Sequence, residues 1–173
     1  MTDAVTCERI CGTVASLLFL FARIENEARE IIGRVGGPES LSKVIGARGT
    51  LQVWKKLLLQ DREVRPEEAL LAERLWTQMQ ESLDVRNGIC HGLIGASAER
   101  GGAPATLSWR VEDSIMSRTY DELQEMFAWL SRIPQAMAMI SHAVCAADPS
   151  KLRPLPKRDF WESEFGIEFD KES

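Results

Sequence analysis

The N-terminal apolar residues recur on a helical period, and no other feature limits the possible folds as strongly. Ile10, Val14, Leu17, Phe21, Ile24, Ala28 and Ile31 alternate steps of four and three, so they share one face of a long helix. Within that helix, residues 17–22 are apolar on every side. Such a stretch is expected to be buried on more than one flank, by the chain's own core and by a second subunit. It is far too short for a bilayer, which needs roughly 20 apolar residues. Gly33, Gly36, Gly37 and Pro38 are expected to end the helix.

The rest of the chain continues in helices with one interruption. Leu41, Val44, Ile45, Leu51, Trp54, Leu57 and Leu58 give residues 41–60 apolar faces, which Gly46 and Gly49 are expected to break into two pieces, with Thr50 capping the second. A third helix is expected from Pro66, with Glu67 and Glu68 at its positive end. Its stripe of Ala72, Trp76, Met79 and Leu83 continues in phase to Arg86 and Cys90. A cluster of glycines follows, and Leu107, Trp109 and Val111 then alternate with Ser108 and Arg110, as in a short strand that pairs with residues around 93–98. Thr119-Tyr120-Asp121-Glu122 is a capping box opening a last long helix through Val144, which Pro134 should kink. The predicted fold is all-α, with a short β-hairpin insertion after the third long helix. The expected division is a helical domain over 1–147 and a Pro-rich, then aromatic and acidic arm over 148–173. That arm would pack on the body or on a partner.

Composition narrows the function classes. Hydrophobic residues at 45% and charged residues at 27% are globular proportions and argue against disorder. A net charge of -5 excludes attachment to nucleic acid by bulk electrostatics, so any such contact must come from a local site. The N-terminus carries Asp3 and Glu8 where an export signal would be basic, so the protein is expected in the cytoplasm, with no membrane partner. In that compartment Cys7, Cys11, Cys90 and Cys145 are expected to be buried free thiols.

The most concentrated chemistry is Arg86-Asn87-Gly88-Ile89-Cys90-His91. Asn87 and His91 are four apart and share a helix face, with Asp84 on the same side. Arg86 and His91 are five apart, roughly 140° around an ideal helix. Either a long arginine reaches around, or a two-fold axis brings a second copy of the segment alongside. The residue types suit RNA. A histidine titrating near neutrality can move the proton of a ribose 2′-hydroxyl, and an arginine can clamp the charge developing on phosphate. Asn87 could orient the histidine or bind phosphate or ribose. Nothing in this scheme needs a metal or other cofactor. Alternatively, Arg86 could pair with a carboxylate such as Asp84, and His91 could cap the negative end of the helix.

Arg-Asn-x-x-x-His at the end of a third long helix, followed by Gly92, a short hairpin and a final helix, resembles the HEPN family over roughly residues 5–145. The resemblance implies a four-to-five-helix bundle that dimerises through the motif helices. It also implies metal-independent endoribonuclease activity of the toxin–antitoxin, phage-defence or RNA-processing kind. Arg86, Asn87 and His91 would be the catalytic set, with Arg86 and Asn87 also holding substrate. The expected partners are an RNA substrate, a second copy of the chain and a cognate antitoxin protein. Some members are regulated by modification of a tyrosine two residues after the histidine. Leu93 stands there in this chain, and the only tyrosine is Tyr120. Other members have lost activity and serve as interaction or nucleotide-binding modules.

Other chemistries have less support. Cys7 with Cys11, His142 with Cys145, and Cys90 beside His91 could supply zinc ligands, but paired Cys-x2–4-Cys loops are missing. Gly33-Arg34-Val35-Gly36-Gly37 lacks the lysine of a phosphate loop. Cys90 and His91 are helix neighbours about 100° apart, which makes a poor nucleophile–base pair. The basic residues Lys151, Arg153, Lys157 and Arg158 could help RNA approach, but they read first as a solvated charge run.

Overall fold

The computed structural model describes residues 4–42, 45–60, 62–146, 154–167 and 169. Those residues are mostly helical, with a small three-stranded antiparallel sheet. The elements run α1 (Cys7–Ser42), α2 (Gly46–Gln60), α3 (Pro66–Gly92), β1 (Leu93–Ser97), β2 (Thr106–Val111), β3 (Ser114–Thr119), α4 (Tyr120–Leu130), α5 (Ile133–Cys145) and α6 (Arg158–Phe165). None of the described helices is long and apolar enough to cross a membrane. The chain divides into two compact units, Met1–Phe21 with Glu81–Ser131 and Ala22–Gln80 with Arg132–Ser173. The expected boundary at 147/148, like Lys151 and Arg153, lies outside the described residues.

Among the described residues of the second unit every named element is a helix. Ile24, Ala28, Ile32, Trp54, Leu58, Leu75, Met79, Met137 and Ile140 are buried in it. The buried Trp54 indole N–H donates to the Ser141 hydroxyl at 2.9 Å, which satisfies a donor that would otherwise lose its hydrogen bond to water. α6 carries the aromatic residues of the C-terminal arm. Trp161 and Phe165 are buried, with ring centroids 5.2 Å apart. Gly166 closes the helix in the left-handed conformation (φ 61°), its carbonyl accepting from the Gln78 amide at 2.8 Å.

In the first unit, residues of α1, the end of α3, the sheet and α4 bury Ile10, Leu17, Phe21, Leu83, Val85, Ile89, Leu107, Trp109 and Leu123. The expected pairing of β1 with β2 is present, in a register that sets Leu93 against Trp109 and Ser97 against Thr106. A third strand, β3, extends it, setting Trp109 against Met116 and Leu107 against Arg118. No element was expected over Ser114-Ile115-Met116-Ser117, which has no polar/apolar alternation. The capping box itself forms. The Glu122 backbone N–H donates to the Thr119 hydroxyl at 3.2 Å, and the Thr119 N–H donates to the Glu122 carboxylate at 2.6 Å.

One expected helix boundary is present and two are displaced. α1 breaks where its glycines were expected to end it: two helical pieces meet at a kink at Gly37, whose φ of 71° and ψ of 178° are not helical, and the second piece runs to Ser42. α2 is one helix that starts at Gly46, where φ is 70°. Thr50 therefore sits inside it and donates back to the Gly46 carbonyl at 2.9 Å instead of capping. The helix drawn from Thr119 to Val144 is two helices. Pro134 occupies the first turn of α5, where a missing N–H costs nothing, so it starts a helix rather than kinking one.

The box makes stability depend on acid. The Thr119 backbone N–H, and then its hydroxyl, hold the Glu122 carboxyl below its usual value. A value lowered on folding adds stability above the unfolded carboxylate's pKa, and that stability is lost as pH falls through the folded value. The melting temperature of Glu122→Ala should therefore lie below wild type at neutral pH, and the gap should close on acidification below about 4.5. A gap that is unchanged by pH would contradict this account.

Candidate functional site

The Arg-Asn-x-x-x-His segment occupies the last turns of α3. Asn87 is half-buried and His91 is exposed in the final turn, where a positive charge meets the negative end of the helix. The two side chains line one groove of about 770 Å³ in the first unit. Glu81 and Asp84 extend its α3 wall, while Trp109, Val111, Met116 and Arg118 form the facing wall on the β2–β3 hairpin.

Arg86 is half-buried and is not among the groove-lining residues. Its guanidinium Nη1 donates to the Asn87 Oδ1 at 3.0 Å. The bond is to the adjacent residue within one chain, and Arg86 does not join His91 in lining the groove. With Oδ1 engaged, Asn87 has its amide NH2 to offer to an anion in the groove.

Two glycines set the position of the facing wall. Gly88 and Gly92 are one helical turn apart on α3. A Cβ at Gly88 would overlap the Trp109 indole, and one at Gly92 would overlap the Arg110 carbonyl. Strand β2 can therefore lie against α3 only because both positions lack side chains. Sequence reading took Gly92 merely as a feature shared with a family. The detectable signal was a Gly-x-x-x-Gly spacing inside a helical segment, beside a strand containing tryptophan.

Sequence reading also missed the charged residues of the hairpin. Arg110, Glu112 and Arg118 line the groove. Arg118 is paired with Glu81 at 2.6 Å, which ties β3 to α3 across the mouth. Glu112, in the β2–β3 turn, has φ 53°, a left-handed conformation unfavourable for a residue with a Cβ. The groove mixes signs, with Glu81 and Asp84 on the α3 wall and Arg110, Glu112 and Arg118 on the hairpin.

The cysteine expectation is corrected. All four thiols are free, but Cys7, Cys11 and Cys90 are exposed and only Cys145 is partly buried. The inward face of α1 at this end is set by Ile10 and Leu17, which leaves Cys11 outside. Beyond Leu83 the buried side chains of α3 are Val85 and Ile89, so the stripe does not continue through Arg86 and Cys90. Burial pushes the Cys145 thiol pKa up. Among the described residues, no three His, Cys, Asp or Glu side chains are grouped to hold a metal ion.

Comparison with protein-family models, with curated proteins and with solved structures returns no match for this chain.

The glycine contacts can be tested by stability alone. Gly88→Ala and Gly92→Ala should each lower unfolding free energy by roughly 1–3 kcal/mol, the usual cost of overpacking. Gly95→Ala, where nothing lies within 4 Å of the added Cβ, serves as the control and should stay near wild type. Equal midpoints for all three variants in urea titrations would refute the close approach.

Proposed function

We propose that this chain is a metal-independent endoribonuclease of the HEPN toxin or defence type, built as a four-to-five-helix bundle with a β-sheet insertion and acting as a homodimer. What supports the reading most is the opening of Asn87 and His91 into one groove, with the Arg86 guanidinium bonded to Asn87. In this mechanism His91 takes the proton from a ribose 2′-hydroxyl, and the freed oxygen attacks the adjacent phosphorus. The P–O5′ bond breaks, and a proton from the imidazole goes to the departing 5′-oxygen. The products are a 2′,3′-cyclic phosphate and a 5′-hydroxyl. Arg86 stabilises the phosphoryl charge through its hydrogen bond to Asn87, whose amide NH2 binds the phosphate. A cognate antitoxin protein would act by occluding the groove.

A second reading is favoured by one observation: three carboxylates, Glu81, Asp84 and Glu112, share the groove with the cations. They oppose a polyanion and suit a non-catalytic module that binds a nucleotide or a partner protein.

Cleavage of a mixed single-stranded and structured RNA panel in EDTA separates the two readings. The nuclease reading predicts cyclic-phosphate ends from wild type and at least about 100-fold slower cleavage by folded His91→Ala and Arg86→Ala, as expected for a lost proton-transfer or charge-stabilising group. Binding without cleavage by wild type would select the interaction module.

A further inference from the structure

The ion pair across the groove mouth is unequal in its two members. Arg118 keeps 25% of its side-chain exposure and Glu81 keeps 69%. The strand fixes the cation. β3 sets Arg118 against the buried Leu107 and Met116 against the buried Trp109, so both side chains project from the face of the sheet that packs on α3. The guanidinium is held further by its own strand, Nη1 donating to the Ser117 carbonyl at 3.2 Å. Glu81 meets Nη2 from α3 at 2.6 Å. Its carboxylate is largely solvated already, so parting from the arginine costs it little.

An anchored cation covered by a loosely held carboxylate is a place that another anion can take. A phosphodiester offers two non-bridging oxygens that match the guanidinium fork, as a carboxylate does. A guanidinium has five N–H donors, and the bonds to Glu81 and Ser117 use two of those on Arg118. Asn87 and His91 line the same groove. RNA carries a phosphate at every nucleotide, so a strand with its reacting phosphate at Asn87 and His91 brings a neighbouring one to the hairpin wall.

We propose that Arg118 receives a backbone phosphate of single-stranded RNA, and that Glu81 occupies the arginine until that phosphate displaces it. The exchange is non-covalent. The Arg118–Glu81 hydrogen bond breaks, an Arg118–phosphate bond forms, and the Glu81 carboxylate returns to water. Arg118 is thus a substrate-positioning residue, and Glu81 is an electrostatic plug. The plug gives a carboxylate a purpose in a groove that takes a polyanion. It keeps the guanidinium in place while the groove is empty, and it turns away anions that bind the arginine more weakly than Glu81 does. The inference rests on the nuclease reading, which brings RNA to this groove, and adds a second phosphate contact on the wall opposite α3.

Binding of a fluorescent single-stranded 2′-O-methyl RNA to the full chain, followed by anisotropy over a range of salt, tests this without cleavage. Glu81→Gln should bind about two- to fivefold tighter than wild type, the scale on which a solvated ion pair competes. Glu125→Gln removes the same charge from an exposed position on α4 that does not line the groove, and it should change affinity much less. Arg118→Gln should weaken binding and reduce the slope of log affinity against log salt by about 0.7, the share of one phosphate contact on a single strand. In the Arg118→Gln background, Glu81→Gln should bring no gain beyond that of Glu125→Gln. If Arg118→Gln loses the folded circular dichroism spectrum, the comparison of Glu81→Gln with Glu125→Gln decides alone. RNA binding that Glu81→Gln improves no more than Glu125→Gln does overturns the exchange and leaves the nuclease reading standing. Failure of both wild type and Glu81→Gln to bind the RNA overturns the exchange and that reading together.

Discussion

The site depends on the contact of β2 with the last turns of α3. Gly88 receives the Trp109 indole, and Gly92 receives the Arg110 carbonyl. Remove either vacancy and the strand must move away from the helix by about a methyl group's width. The groove walls, the Arg118–Glu81 ion pair and the exposure of His91 would all shift with it. Backbone approach of this kind is the strongest reason for glycine inside a helix, where it otherwise costs about 1 kcal/mol against alanine. Two such costs one turn apart are offset here by burying Trp109 against the helix.

The chemistry available in the groove follows from that placement. Asn87 and His91 share the α3 face that the hairpin confronts, while Arg86 is not among the groove-lining residues and bonds to the adjacent Asn87. The arginine therefore influences the groove through a hydrogen bond rather than by lining it. Direct cationic lining comes from Arg110 and Arg118, with Arg118 partly neutralised by Glu81. A groove with nearly balanced charge agrees with a net acidic chain. Affinity for a polyanion would come from a few positioned contacts and would carry a shallow salt dependence.

Much of the secondary structure was legible in the sequence. The stripe from Ile10 to Ile31, Pro66 at the start of α3, the Thr119–Glu122 box and the β1–β2 pairing are local signals that are physically decisive on their own. The break of α1 at its glycines was legible too, since Gly37 takes a positive φ and interrupts the helix there, while Gly33 and Gly36 stay helical. β3 was illegible because its residues are exposed on both faces, so they carry no alternation. Asn87 and His91 could be placed on one face by spacing alone. The hairpin residues Arg110, Glu112 and Arg118 could not, since their approach to α3 is a tertiary event. The cysteines were misassigned because thiol burial was argued from residue type, whereas Ile10, Val85 and Ile89 set the inward faces of the two helices.

The proposed nuclease function requires RNA to meet the chain at the groove beside His91. The chain has two histidines, His91 and His142, and the structure puts only His91 in that groove. The imidazole carbon-bound proton signals of both can be followed by NMR, with His142→Gln providing the assignment. Titration with single-stranded 2′-O-methyl RNA, which lacks the attacking hydroxyl, should move the His91 signals saturably and leave those of His142 in place. Saturable movement of the His142 signals alone, or no change at either residue up to high RNA concentration, would contradict the account.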